Sequence, residues 1–92
     1  MIVRYAIANV SPHTIAEAMQ ARGLSGSVSQ GLGFGKWGIE PTCFVEVAGD
    51  SKLDADSAVM HVLWQSREEC AYRTIDGDDP CLLYADGSVK DV

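Results

Sequence analysis

Apolar residues alternate with smaller or polar ones over residues 2–9, placing Val3, Tyr5 and Ile7 on one side and predicting a first strand. Ser11-Pro12 then reads as a helix start, because the serine oxygen can cap an early N–H and proline suits the first helical position. Ile15, Ala18, Met19 and Arg22 follow at helical spacing. Gly23 stands where a left-handed residue ends a helix, with Leu24 supplying the usual apolar contact beyond it. The spacing predicts a helix over 12–22. Alternation returns from Gly26 to Phe34, with Val28, Gln30, Leu32 and Phe34 opposite Ser27, Ser29, Gly31 and Gly33. A strand with one nearly bare face is expected there, twisted or bulged near its end. Thr42–Ala48 predicts a third strand, with Cys43, Val45 and Val47 facing one way and Phe44 and Glu46 the other. Gly35–Pro41 reads as the loop joining these two strands into an antiparallel pair.

After a polar break at residues 49–54, Ala55, Ala58, Val59, Val62 and Leu63 form the stripe of a second helix. Met60 and Trp64, one turn apart, widen its apolar arc. Cys70–Ile75 and Cys81–Tyr84 suit two further strands, with turn signals at Asp76-Gly77 and Asp86-Gly87 before a short tail. The order predicts an α+β fold in one domain over residues 1–92. It would be a ferredoxin-like βαββαβ sandwich, with an antiparallel sheet, both helices on one face and a C-terminal hairpin extension. The uncovered sheet face is a natural place for subunits to meet, with Arg4, Phe44 and Tyr72 as candidates.

Composition narrows the partners. Hydrophobic residues make up 47% of the 92, enough for a core without cross-links. A lone domain of this size is still marginal, so oligomerisation would add useful burial. The net charge of −6 and the scatter of the seven basic residues argue against nucleic acid, whose binding rests on clustered Lys and Arg. The three cysteines, Cys43, Cys70 and Cys81, are odd in number, lack C-x-x-C spacing and suit a reducing compartment. Residues 1–10 lack the charged start and cleavage region of a signal peptide, and no stretch approaches transmembrane length. A soluble cytoplasmic protein without membrane partners is expected.

Few side chains advertise chemistry. His13 and His61 lie far apart in helical patterns, without cysteine or carboxylate at ligand spacing, and read as surface residues rather than metal ligands. Asp76-Gly-Asp-Asp79 lacks the spread and closing glutamate of a calcium loop and reads as a solvated turn. The cysteines show no activating neighbours and read as packed strand thiols. Glu40 and Glu46 straddle Pro41-Thr42, but shared acid–base work is less favoured than a loop charge and a strand charge. No cofactor, metal site or catalytic residue is predicted.

The glycine-rich segment from Gly23 to Thr42 is the exception, holding six of the nine glycines. Gly31-Leu-Gly-Phe-Gly35 is not a dinucleotide loop, which needs a strand before it and a helix after. It is not a Walker loop either, since no Gly-Lys-Ser/Thr occurs. What remains is a hairpin whose N–H groups line a pocket, with Lys36 to attract an anion and Trp37 to stack on a ring. The favoured alternative is that Trp37 and Phe34 anchor a subunit contact, since tryptophan is enriched at interfaces.

Gly23-Leu-Ser-Gly-Ser-Val28 and Gly33-Phe-Gly-Lys36 resemble the PII signal-transduction family and its PII-like relatives, over roughly residues 1–75. The Gly-Lys-Trp-Gly-x-Glu-Pro-Thr run also looks like that of small, often phage-borne, PII-like proteins. The resemblance implies a ferredoxin-like, usually trimeric protein, with Gly33, Gly35 and Lys36 as the matching part of the second strand. Typical members bind adenine nucleotides between subunits. Here the loop after strand two is short, the Arg-x-Arg pair is missing, and Ser66-Arg67-Glu68-Glu69 replaces the basic segment that would hold phosphates. ATP binding is therefore not carried over.

The expected function is that of a non-enzymatic, homo-oligomeric binding or regulatory module, with a trimer favoured. Its ligand or partner would meet Gly33, Gly35, Lys36, Trp37 and Glu40. The alternatives are a protein-interaction factor such as a phage-encoded inhibitor, and a small enzyme with Glu40 or Glu46 as base beside a cysteine or His61.

Overall fold

The computed structural model describes residues 2–35, 38–48, 52–76 and 79–92, leaving aside the side chains at 34, 52 and 53. In chain order the elements are β1 (Ile2–Ala8), α1 (Pro12–Gln20), β2 (Gly26–Gly35), β3 (Gly38–Ala48), α2 (Lys52–Ser66), β4 (Cys70–Ile75), β5 (Cys81–Tyr84) and β6 (Val89–Asp91). The fold is α+β. Its strands form one six-stranded sheet in the order β2-β3-β1-β4-β5-β6, and every neighbouring pair is antiparallel.

Alternation along the strands decides which face is dry. Val3, Tyr5 and Ile7 of β1, Cys43, Val45 and Val47 of β3, and Ala71 and Leu83 are buried in one cluster with Ile15, Ala18 and Met19 of α1 and Ala55, Val59, Val62 and Leu63 of α2. Both helices thus cover the same side of the sheet. Completely burying one such Leu or Ile contributes about 1.5–3 kcal/mol, so this interface dominates stability. The opposite side carries Arg4, Ala6, Phe44, Glu46 and Tyr72, and stays open.

The ends of α1 follow the sequence signals. His13 N–H donates to Ser11 Oγ at 3.2 Å, Pro12 opens the first turn, and Gly23 takes φ 68. Leu24 N–H then reaches back to Met19 O at 3.0 Å, and the helix ends at Gln20, two residues short of the predicted limit at 22. The end of α2 repeats this hydrogen bond without a glycine. Arg67 takes φ 56, and Glu68 N–H donates to Leu63 O at 2.9 Å.

Four expectations need correction. Residues 38–41 are strand, not loop: the β2–β3 register runs unbroken from Gly26↔Val47 to Gly35↔Gly38. The same continuity excludes the bulge expected in β2, because Ser and Gly on its bare face let the ladder continue without crowding. Trp64 does not join the core but is 76% exposed, since α2 meets the sheet through the Val59–Leu63 side and turns Trp64 outward. The tail after Asp86-Gly87 is itself a strand, β6, paired with β5.

A polar cluster lies under α2. Tyr5 and Arg73 are register neighbours on the helix-covered face, and Asp56 descends between them from α2. Tyr5 Oη donates to Asp56 Oδ1 at 2.5 Å, and Arg73 Nη1 to Asp56 Oδ2 at 2.6 Å. Arg73 is only 7% exposed. Strand alternation places it with Ala71 and Ile75, so its burial follows from the register, and Asp56 makes that burial tolerable.

Candidate functional site

The open face of the sheet is not flat. Across it, Phe44, Ala6, Tyr72 and Leu82 form one continuous register row through β3, β1, β4 and β5. The next row toward the hairpin holds Gly31, Thr42 and Ala8. Small residues in the middle and large ones to the sides leave a concavity of about 860 Å³, lined by the first row and by Thr42 and Ala8 of the second, with Glu40 and residues 67–69 at its edge.

Glycine is required at the hairpin side of this hollow. A Cβ on Gly31 would lie 3.1 Å from the Phe44 ring, which leans across that bare position. A Cβ on Gly33 would fall 2.7 Å from Thr42 Oγ1. Thr42 cannot easily turn away, because its hydroxyl donates to Glu40 O at 3.0 Å and the side chain is buried. Gly33 and Glu40 are direct register partners, so the hairpin delivers one bare position and one carboxylate to the same place.

The other carboxylates arrive from the end of α2. The left-handed Arg67 turns the chain back toward the sheet, so that Glu68 and Glu69 line the hollow just before β4 begins. Burial, and then the charge of Glu40, push the Glu68 carboxyl above its ordinary range. Burial, followed by Glu69 and Glu68, also pushes the Cys70 thiol up, which suppresses the nucleophilic thiolate. Among the described residues, no ion pair engages Glu40, Glu68 or Glu69.

No protein-family model matches the chain, and no curated protein matches its sequence.

Of the residues that the sequence singled out, Gly33 and Glu40 lie together at the concavity. Gly35 sits farther along, at the last described pair of the hairpin, opposite Gly38. Lys36 and Trp37 lie outside the described residues. Phe44 and Tyr72 occupy the open face as alternation predicts. The sequence placed Glu68 and Glu69 only where the resemblance puts a phosphate-holding segment and did not bring them to Glu40, nor Cys70 to the same hollow, although the run Glu-Glu-Cys directly after a helix signals carboxylates beside a strand start.

Glu46 is not a partner of Glu40. It pairs with Arg4 at 3.0 Å, toward the other end of the open face. His61 is exposed on α2, and Cys43 is buried in the core, donating to Val10 O at 3.0 Å. His13 does have a carboxylate at helical spacing, Glu17, at 2.8 Å, in an exposed surface pair. Among the described residues no three potential metal ligands cluster, and no helix is long and apolar enough to cross a membrane.

The hairpin has a second side. Leu32 and Ile39 point to the helix-covered side of the sheet but lie beyond the helices, and are 73% and 66% exposed. The base of this projection is fixed by Asn9, whose N–H donates to Pro41 O at 2.9 Å.

Proposed function

We propose that this chain is a homo-oligomeric, PII-like binding module of the ferredoxin-like class, with a trimer favoured. Its β2–β3 hairpin would supply both the subunit contact and one wall of a ligand site. The fold reading draws support from the order β2-β3-β1-β4, with helices after β1 and β3, to which β5 and β6 add an extension beyond β4. Three free cysteines fit a cytoplasmic location.

The observation that carries the reading is the two-sided hairpin. Leu32 and Ile39 form an uncovered apolar side suited to a neighbouring subunit, while Gly33 and Glu40 face the concavity. The raised Cys70 thiol beside the carboxylates favours binding over nucleophilic catalysis.

Light scattering on the wild-type chain and on L32E/I39E tests this reading. A trimeric wild type and a lighter, folded variant are expected. A wild type that stays monomeric across concentration overturns the homo-oligomer, and a stable complex with a different protein through the same two residues favours the interaction-factor reading.

A further inference from the structure

We propose that the concavity on the open sheet face binds an organic ammonium ion that carries an aromatic or branched apolar body. The proposal deepens the binding-module reading and needs from it only that the open face stays free of the subunit contact. Its volume of about 860 Å³ falls in the range of small-ligand sites.

The walls suit the apolar part. Phe44 and Tyr72 are each a register neighbour of Ala6, one on either side of it. Two strand spacings put their backbones about 10 Å apart. A group seated over Ala6 therefore lies between two aromatic side chains that line the same hollow, and a cation there gains from an aromatic face. Ala8 and Gly33 keep the floor low, and the lean of Phe44 over Gly31 widens the opening.

The rim suits the charge. Three carboxylates, Glu40, Glu68 and Glu69, face one guanidinium, Arg67, around the hollow. Burial and then the charge of Glu40 raise the Glu68 carboxyl, and no ion pair among the described residues offsets the three like charges around the hollow. A ligand cation would relieve this repulsion, whereas a phosphate or carboxylate would add to it. A bare metal ion is a poor match, because the carboxylates do not converge and aromatic walls offer it no ligands.

Titration with benzyltrimethylammonium, benzyl alcohol and benzenesulfonate tests the proposal, read by calorimetry and by amide shifts at Ala6, Thr42 and Tyr72, with molar mass measured alongside. The ammonium is expected to bind and shift these amides, the alcohol to bind more weakly and the sulfonate not at all. E40Q/E68Q should weaken ammonium binding about tenfold or more, and Y72L should weaken it independently of charge. Absence of ammonium binding, equal binding of the sulfonate, or indifference to both variants overturns the proposal. So does a change in molar mass with Y72L, which would make this face a contact between copies. A monomeric wild type that still binds the ammonium would leave this site standing and remove only the oligomer.

Discussion

Arg73 and Asp56 form an ion pair at 2.6 Å, with their side chains only 8% and 13% exposed. Desolvating two charges costs several kcal/mol, and the attraction recovers this only when the remaining polar atoms are also satisfied. Tyr5 satisfies the second carboxylate oxygen. Arg73 Nε has no partner among the described residues, so the cluster is an incomplete polar network inside an apolar core.

Asp56→Ala should therefore lower the unfolding free energy by about 3 kcal/mol or more, because it strands a buried guanidinium. Y5F/D56L/R73M should recover most of that loss, since it removes every polar member together. Chemical denaturation of the two variants and the wild type reads the difference.

Alkaline stability should depend on Tyr5. Burial, then its bond to Asp56, pushes the Tyr5 phenol above its ordinary value of about 10. The folded state thus holds the proton more tightly than the unfolded chain. Its stabilising contribution is complete below about pH 10 and is lost as pH rises beyond it. Y5F should show a flatter fall in melting temperature over that alkaline range.

The division of the sheet into two faces was legible in the sequence, whereas the pairing register of its strands was not. Alternation at Val3, Tyr5 and Ile7 and at Cys43, Val45 and Val47 leaves only one way to bury both strands. The hairpin was less legible, because Gly38 and Pro41 have low strand propensity, yet pairing with β2 overrides it. The site was harder still. It combines five strands, β1 to β5, and the segment after α2, and no local spacing shows that Glu40 and Glu68 share a hollow.

Arg67→Gly should stabilise the protein. A side chain in the left-handed region costs about 1–2 kcal/mol, of which the greater freedom of unfolded glycine cancels part. A net gain of about 0.5–1 kcal/mol is expected in thermal or denaturant melts. Gly23→Ala, at the equivalent end of α1, should lose about 1 kcal/mol, although nothing lies within 4 Å of the new Cβ.

Gly33→Ala should cost about 1–3 kcal/mol through collision with Thr42. Adding T42A, which removes the colliding atoms, should return much of that loss. Denaturant melts of the single and double variants measure the coupling between the two positions.

Glu68 should make the protein less stable as its charge develops. Its folded-state carboxyl is raised, so stability falls as pH rises through and above the ordinary carboxylate value of about 4.3. E68Q should melt higher than wild type near pH 7 and close to it near about pH 4. Melting curves across that range provide the check.

Leu32 and Ile39 stand on one side of a two-stranded ribbon whose other side carries Gly33 and Glu40. If subunits grip the first side and a ligand the second, both events act on the same pair of backbones. Any preference of the ligand for the assembled form must then be returned as an equal preference of the assembled form for the ligand. The ribbon would act as a lever between concentration of protein and concentration of ligand, with its sensitivity set by how firmly Asn9 holds Pro41 at the fulcrum.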